Sequence, residues 1–147
     1  MGVIVSVVET VSVIIPTFNR PDALTVAIWS VLLQSHPAAE IIVVGDSASS
    51  ETARVIDGFS NSKIKYINLP VRCGDQSIPN AVGTKIATGD FVAYLNHDDV
   101  WSPGHLKEGL AAIQRTRSRW FIGKSLFAYD SVDEIDGRRP VFSEISL

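Results

Sequence analysis

Residues 12–16 (Ser-Val-Ile-Ile-Pro) and 41–44 (Ile-Ile-Val-Val) are short, unbroken apolar runs rich in β-branched side chains. Runs of this length, without polar alternation and ended by a turn or breaker residue, predict strands buried on both faces. Residues 64–69 alternate weakly and predict a third strand, and residues 91–95 a fourth. Between them the spacing becomes helical. Asn19-Arg20-Pro21-Asp22 reads as a helix start, Leu24, Ile28, Val31 and Leu32 recur on one helical face, and Pro37 predicts an end near Ser35. A short helix is expected over residues 50–56, closed by Gly58. Another is expected over 80–87, with Gly89 as its stop, after a loop spanning 70–79. Ser102-Pro103 opens a further helix lasting to about Arg115. From Trp120 onward the pattern becomes strand, turn, strand, with Asp136-Gly137 at the turn.

Strands alternating with helices define an α/β architecture with a mainly parallel central sheet, helices on its faces and right-handed crossovers. In such sheets ligands bind beyond the carboxyl ends of the strands. Three polar clusters fall at those ends: Pro16-Thr17-Phe18-Asn19-Arg20, Gly45-Asp46-Ser47 and Asn96-His97-Asp98-Asp99. Their coincidence locates a candidate site before any chemistry is assigned.

Adjacent carboxylates such as Asp98 and Asp99 repel one another unless a cation sits beside them. Oxygen ligands suit Mg²⁺ or Mn²⁺, and few are needed where a diphosphate completes the shell. Asp98 is the candidate metal ligand and Asp99 a supporting or acceptor-side group; the competing reading is a helix-capping acid with a solvated neighbour. Asp46 either closes an Asx-turn or caps the helix near Ser50, or accepts hydrogen bonds from a nucleotide's base or ribose. Thr17, Asn19 and Arg20 could line the same pocket, Arg20 bringing charge near phosphates, while Asn19 serves equally well as a helix cap. His97 reads as structural or substrate-lining, because His36, His97 and His105 show no metal-ligand spacing. Neither a Walker loop nor a dinucleotide-binding glycine pattern is present, which argues against kinases, GTPases and NAD enzymes.

At 147 residues, 46% of them hydrophobic, the chain suits a single domain spanning 1–147. A net charge of -3 without a basic run argues against nucleic acid as partner. Cys73 is the sole cysteine, expected as a small, partly buried hydrophobe, and the chain forms no internal disulfide. The apolar start, interrupted by Glu9, is too short to span a bilayer and lacks a signal peptide's features, so a cytoplasmic protein is expected.

Taken together these segments resemble family 2 glycosyltransferases of the GT-A fold. Residues 11–20 (Val-Ser-Val-Ile-Ile-Pro-Thr-Phe-Asn-Arg) are similar to that family's opening strand and Pro-Thr-Phe/Tyr-Asn-Arg motif. Residues 40–47 resemble its second strand and Asp-Asp-Gly-Ser turn, and residues 87–95 the stretch before its metal motif. Residues 96–103, with His105-Leu106, resemble its Asp-x-Asp-Asp-x-Trp-x-Pro region. The likeness covers about residues 11 to 106. Three departures stand out: Gly45 replaces the first Asp of a pair, Asn96 replaces the first Asp of the metal motif, and Asn80-Ala81 stand where Arg-Asn is common.

The resemblance implies transfer of a sugar from a nucleoside-diphosphate sugar to an acceptor hydroxyl on a sugar or glycan, usually with inversion. It places Pro16, Thr17, Asn19, Arg20, Asp46 and Asn96 around the donor and Asp98 on a divalent cation, Mn²⁺ or Mg²⁺. The family's acceptor half, with its catalytic base, is expected to continue past Leu147. Asp130, Asp133, Glu134 and Asp136 match a base by residue type only, and none is assigned. A sheet truncated there should self-associate, giving a homo-oligomer, and peripheral membrane association is compatible with the same reading. The alternatives are a non-catalytic nucleotide-sugar-binding or interaction module of the same fold, or a nucleotidyltransferase.

Overall fold

A computed structural model describes residues 9–123 together with the short strands at 126–127 and 143–144. Strand β1 (Val11–Thr17) and strand β2 (Glu40–Gly45) are buried at every position, as their unbroken apolar runs require. Strands β3 (Ile64–Asn68) and β4 (Phe91–Tyr94) flank them, giving the order β3-β2-β1-β4 with all pairings parallel. Thr17 lies level with Gly45, and Gly45 with Asn68, so three strands end side by side on one edge. Helices α1 (Pro21–Leu32), α2 (Ser50–Gly58) and α3 (Ser77–Ile86) are the crossovers. On one side of the sheet Ile14, Ile42 and Val44 pack with Leu69, Val82, Ala87 and Val92.

The chain divides into two compact units, 1–108 and 109–147, with the boundary inside helix α4 (His105–Thr116). In the second, strand β5 (Leu126–Phe127) pairs antiparallel with strand β6 (Ser143–Glu144), two strands in the region where strands are expected. The Asp136-Gly137 turn, the four unassigned carboxylates and residues 1–8 lie outside the described residues.

The carboxylate of Glu40 ties the other edge of the sheet together. It accepts hydrogen bonds from Ser12 Oγ on β1 at 2.6 Å, from Thr88 N and Oγ1 ahead of β4 at 2.7 and 2.8 Å, and from Lys65 Nζ on β3 at 2.6 Å. Burial opposes its ionisation. The Lys65 ammonium, with the Ser12 and Thr88 hydrogen bonds, overcomes that and holds the carboxyl at about 2.

Several boundaries differ from expectation for identifiable reasons. Helix α1 starts at Pro21 with no side-chain cap, so Asn19 is not a helix cap. It sits at φ 47° and accepts a hydrogen bond from Ser49 N at 2.8 Å. Helix α3 starts at Ser77 rather than Asn80, because Asp75 accepts the Ser77 N–H and Pro79 falls in the first turn, where its missing donor is not needed. Gly58 lies within α2, and the left-handed residue beyond it is Ser60. Gly89 is not a helix stop but a point of close approach: a Cβ there would lie 2.7 Å from Ser12 N.

Candidate functional site

A cleft of about 320 Å³ opens where β1, β2 and β4 end. That is within the range of roughly 300–1,000 Å³ typical of small-molecule sites. One wall is Pro16, Thr17 and Phe18, and another is Asn96, His97 and Asp98. Asp46 lies between them, and the segment from Arg72 to the first turn of α3 closes the rest.

The strand-end segments are cross-braced. His97 Nδ1 lies 3.1 Å from the Pro16 carbonyl oxygen, hydrogen-bonding the loop after β4 to the end of β1. Asn96 Nδ2 donates to Asp99 Oδ2 at 3.0 Å, and Asp99 N donates to the Asn96 carbonyl at 3.1 Å. Asp99 is thereby drawn back onto its own turn, while Asp98 stays exposed at the cleft. Farther on, buried Gln34, just past the end of α1, donates to the Ser102 carbonyl at 2.7 Å and accepts from Leu106 N at 3.0 Å. The Trp101 and His105 rings stack with centroids 4.4 Å apart. The acidic turn is thus fixed from both sides.

Asp46 is buried and neither closes a local turn nor caps α2. Its carboxylate accepts Cys73 N at 2.6 Å and Gly74 N at 2.9 Å, across 27 and 28 residues. The Cys73 amide first, then the Gly74 amide, hold its carboxyl below the usual range against the opposing effect of burial. Gly74 takes φ +87°, a left-handed conformation that suits glycine and lets both amides turn toward one carboxylate. A carboxylate has about four acceptor positions, so Asp46 can accept further bonds from a ligand. Thr17 Oγ1 is buried without a hydrogen-bond partner beside the cleft.

Of the sequence-predicted residues, Pro16, Thr17, Asp46, Asn96 and Asp98 share the cleft. Asn19 and Arg20 are exposed and lie outside its lining. Sequence reasoning missed Arg72, Asp75 and Gln76, which line it. Their only signal was membership in the Pro- and Gly-containing loop between β3 and α3. Among the described residues no group of three or more His, Cys, Asp or Glu is placed to hold a metal ion. Exposed Asp98 still fits a cation of the Mg²⁺ type, which takes one or two protein carboxylates and completes its shell with substrate phosphates and water.

A parallel α/β sheet whose strand ends converge on a cleft takes its ligands at those ends. This chain belongs to glycosyl transferase family 2, whose family model matches residues 12–145. The Escherichia coli UDP-Glc:alpha-D-GlcNAc-diphosphoundecaprenol beta-1,3-glucosyltransferase WfgD is 29% identical over 113 residues, covering 77% of this chain and 44% of WfgD. The crystal structure of Staphylococcus aureus TarS 1–349 in complex with UDP-GlcNAc superposes with a TM-score of 0.67 at 29% identity, over 74% of this chain and 32% of that one. The fold is therefore GT-A. The mannosyltransferase PcManGT from Pyrobaculum calidifontis, in complex with GDP-Man and Mn²⁺, shares the fold with a TM-score of 0.66 at 18% identity, covering 74% of this chain and 33% of that one. The chain spans less than half the length of these relatives. No helix among the described residues is long and apolar enough to cross a membrane.

Proposed function

We propose that this chain forms the donor side of a glycosyltransferase that moves a sugar from a nucleoside diphosphate to an acceptor hydroxyl, with a divalent cation and inversion. The observation that carries the reading is the pairing, in one cleft, of a buried Asp46 held ionised by loop amides with an exposed Asp98. Asp46 would accept hydrogen bonds from base or ribose, and Pro16, Thr17 and Asn96 would line the donor, Thr17 offering its unpartnered hydroxyl. Asn19 and Arg20 are read as bordering the donor from outside the cleft lining. Asp98 would hold Mn²⁺ or Mg²⁺. When bound, that ion stabilises the charge developing on the departing diphosphate. The acceptor is a sugar or glycan; one that is lipid-linked, like the diphosphoundecaprenol-linked GlcNAc of WfgD, would bring the chain to a membrane surface peripherally.

The test is a thermal-shift titration with UDP, GDP, CDP and dTDP, each with and without Mn²⁺. Ligand at a hundredfold excess over Kd should stabilise the fold by about 2.7 kcal/mol. One nucleotide is expected to give a Mn²⁺-dependent shift that Asp98→Asn abolishes. A flat response to all four overturns the reading. Sugar transfer by the full chain would exclude the alternative, a non-catalytic module of the same fold.

Strand β4 has a single neighbour, β1, among the described residues, and unpaired strand edges recruit other strands. Self-association to a dimer is therefore expected. Sedimentation showing only monomer at high protein concentration would count against it.

A further inference from the structure

Arg72 is the one lysine or arginine lining a cleft that also carries Asp46, Asp75 and Asp98. Its guanidinium carbon lies 4.0 Å from the centroid of the Phe18 ring, which itself lines the cleft. The ion pair found among the described residues, Lys65 with Glu40, lies at the opposite edge of the sheet; Arg72 acts on the Asp46 carboxylate through its charge without a close ion pair to it. Helix α3, whose first turn borders the cleft, supplies no substitute, since Lys85 is in its last turn. Stacking on an aromatic face fixes the guanidinium plane and leaves its N–H edge available for bidentate contact with an oxyanion. Asp46 grips the amides of the two residues that follow, Cys73 and Gly74, and so anchors the segment carrying Arg72.

We propose that Arg72, on its Phe18 platform, binds the diphosphate of the nucleotide donor and is the protein's own phosphate-recognition residue in this cleft. The inference rests on the donor reading above and adds to it a residue and a contact independent of the metal. Charge-assisted bidentate contacts to phosphate are stronger than neutral ones, whereas contacts to the nucleoside should not depend on this residue.

Titration calorimetry on the full chain, in buffer with and without Mn²⁺, with UDP, GDP, CDP and dTDP and with each corresponding nucleoside, separates the two ideas. Arg72→Gln is expected to weaken the bound nucleoside diphosphate by roughly tenfold or more, leaving the nucleoside within about twofold. Arg72→Lys should recover part of the loss, because it restores charge without the planar fork. Arg54→Gln removes an exposed cation on α2, outside the cleft lining, and should leave both affinities unchanged. An unaltered diphosphate affinity in Arg72→Gln, or an equal loss for diphosphate and nucleoside, overturns the phosphate role while leaving the donor reading intact. A wild-type chain that binds no nucleotide, with or without Mn²⁺, overturns both.

Discussion

Glu40→Gln is expected to lose about 3 kcal/mol of folding stability at neutral pH, from a carboxyl held at about 2 against an ordinary 4.5. Because the folded-state value is depressed, this stabilisation is fully present above about 4.5 and disappears as pH falls toward 2. Wild type and variant should therefore converge in acid and separate as pH rises through that window. Glutamine keeps an acceptor for Ser12 and Thr88 but no charge for Lys65, whose side chain is half exposed. Water screens such an ammonium, so Lys65→Met should cost about 1 kcal/mol or less although Lys65 makes the strongest single contribution to keeping Glu40 charged. Urea unfolding from pH 2 to 7 measures both variants. If Glu40→Gln retained the wild-type acid limb, the charge would not be what joins β1, β3 and the Thr88 turn to β2.

The strands of this protein are legible in its sequence because β1 and β2 are buried on both faces, which demands unbroken β-branched runs and leaves polar residues only at their ends. The strand-end rule then identifies Thr17, Asp46, Asn96 and Asp98 as neighbours without any knowledge of side-chain geometry. What was not legible depends on contacts between residues far apart in the chain. Local chemistry offered Asp46 a turn or a helix cap nearby, yet its carboxylate reaches Cys73 and Gly74 on another crossover. Asn19 reads as a cap for α1 and instead meets Ser49 ahead of α2. Arg72 sits in a loop without periodicity, and only folding sets it over Phe18. The start of α3 was open to local reasoning, since Asp75 two residues before Ser77 is a recognisable Asx arrangement.

Gly45 carries the other large expected effect. Its resemblance to a position usually held by Asp suggests that Gly45→Asp would restore a nucleotide contact. The structure predicts a loss of stability instead. Gly45 pairs with Asn68 across β2 and β3, and a Cβ on residue 45 would lie 2.5 Å from Asn68 Oδ1, 2.8 Å from the Tyr66 hydroxyl and 3.2 Å from Ala48 Cβ. Asn68 has little freedom to yield, because its amide accepts from Ala48 N and donates to Ala48 O, both at 2.8 Å. The Tyr66 hydroxyl beside it is buried without a partner. Overpacking of this kind costs about 1–3 kcal/mol, and displacing the Asn68 amide leaves buried Ala48 groups unpaired for a similar sum. A total near 4 kcal/mol is therefore expected in denaturant unfolding. Asn68→Ser should cost less by itself and make Gly45→Asp more tolerable, so the double variant should be more stable than the sum of the single losses. Additive losses would show that Asn68 does not occupy the space a side chain at residue 45 needs. A Gly45→Asp chain as stable as wild type and binding nucleotide more tightly would show that the position still accepts the family's carboxylate.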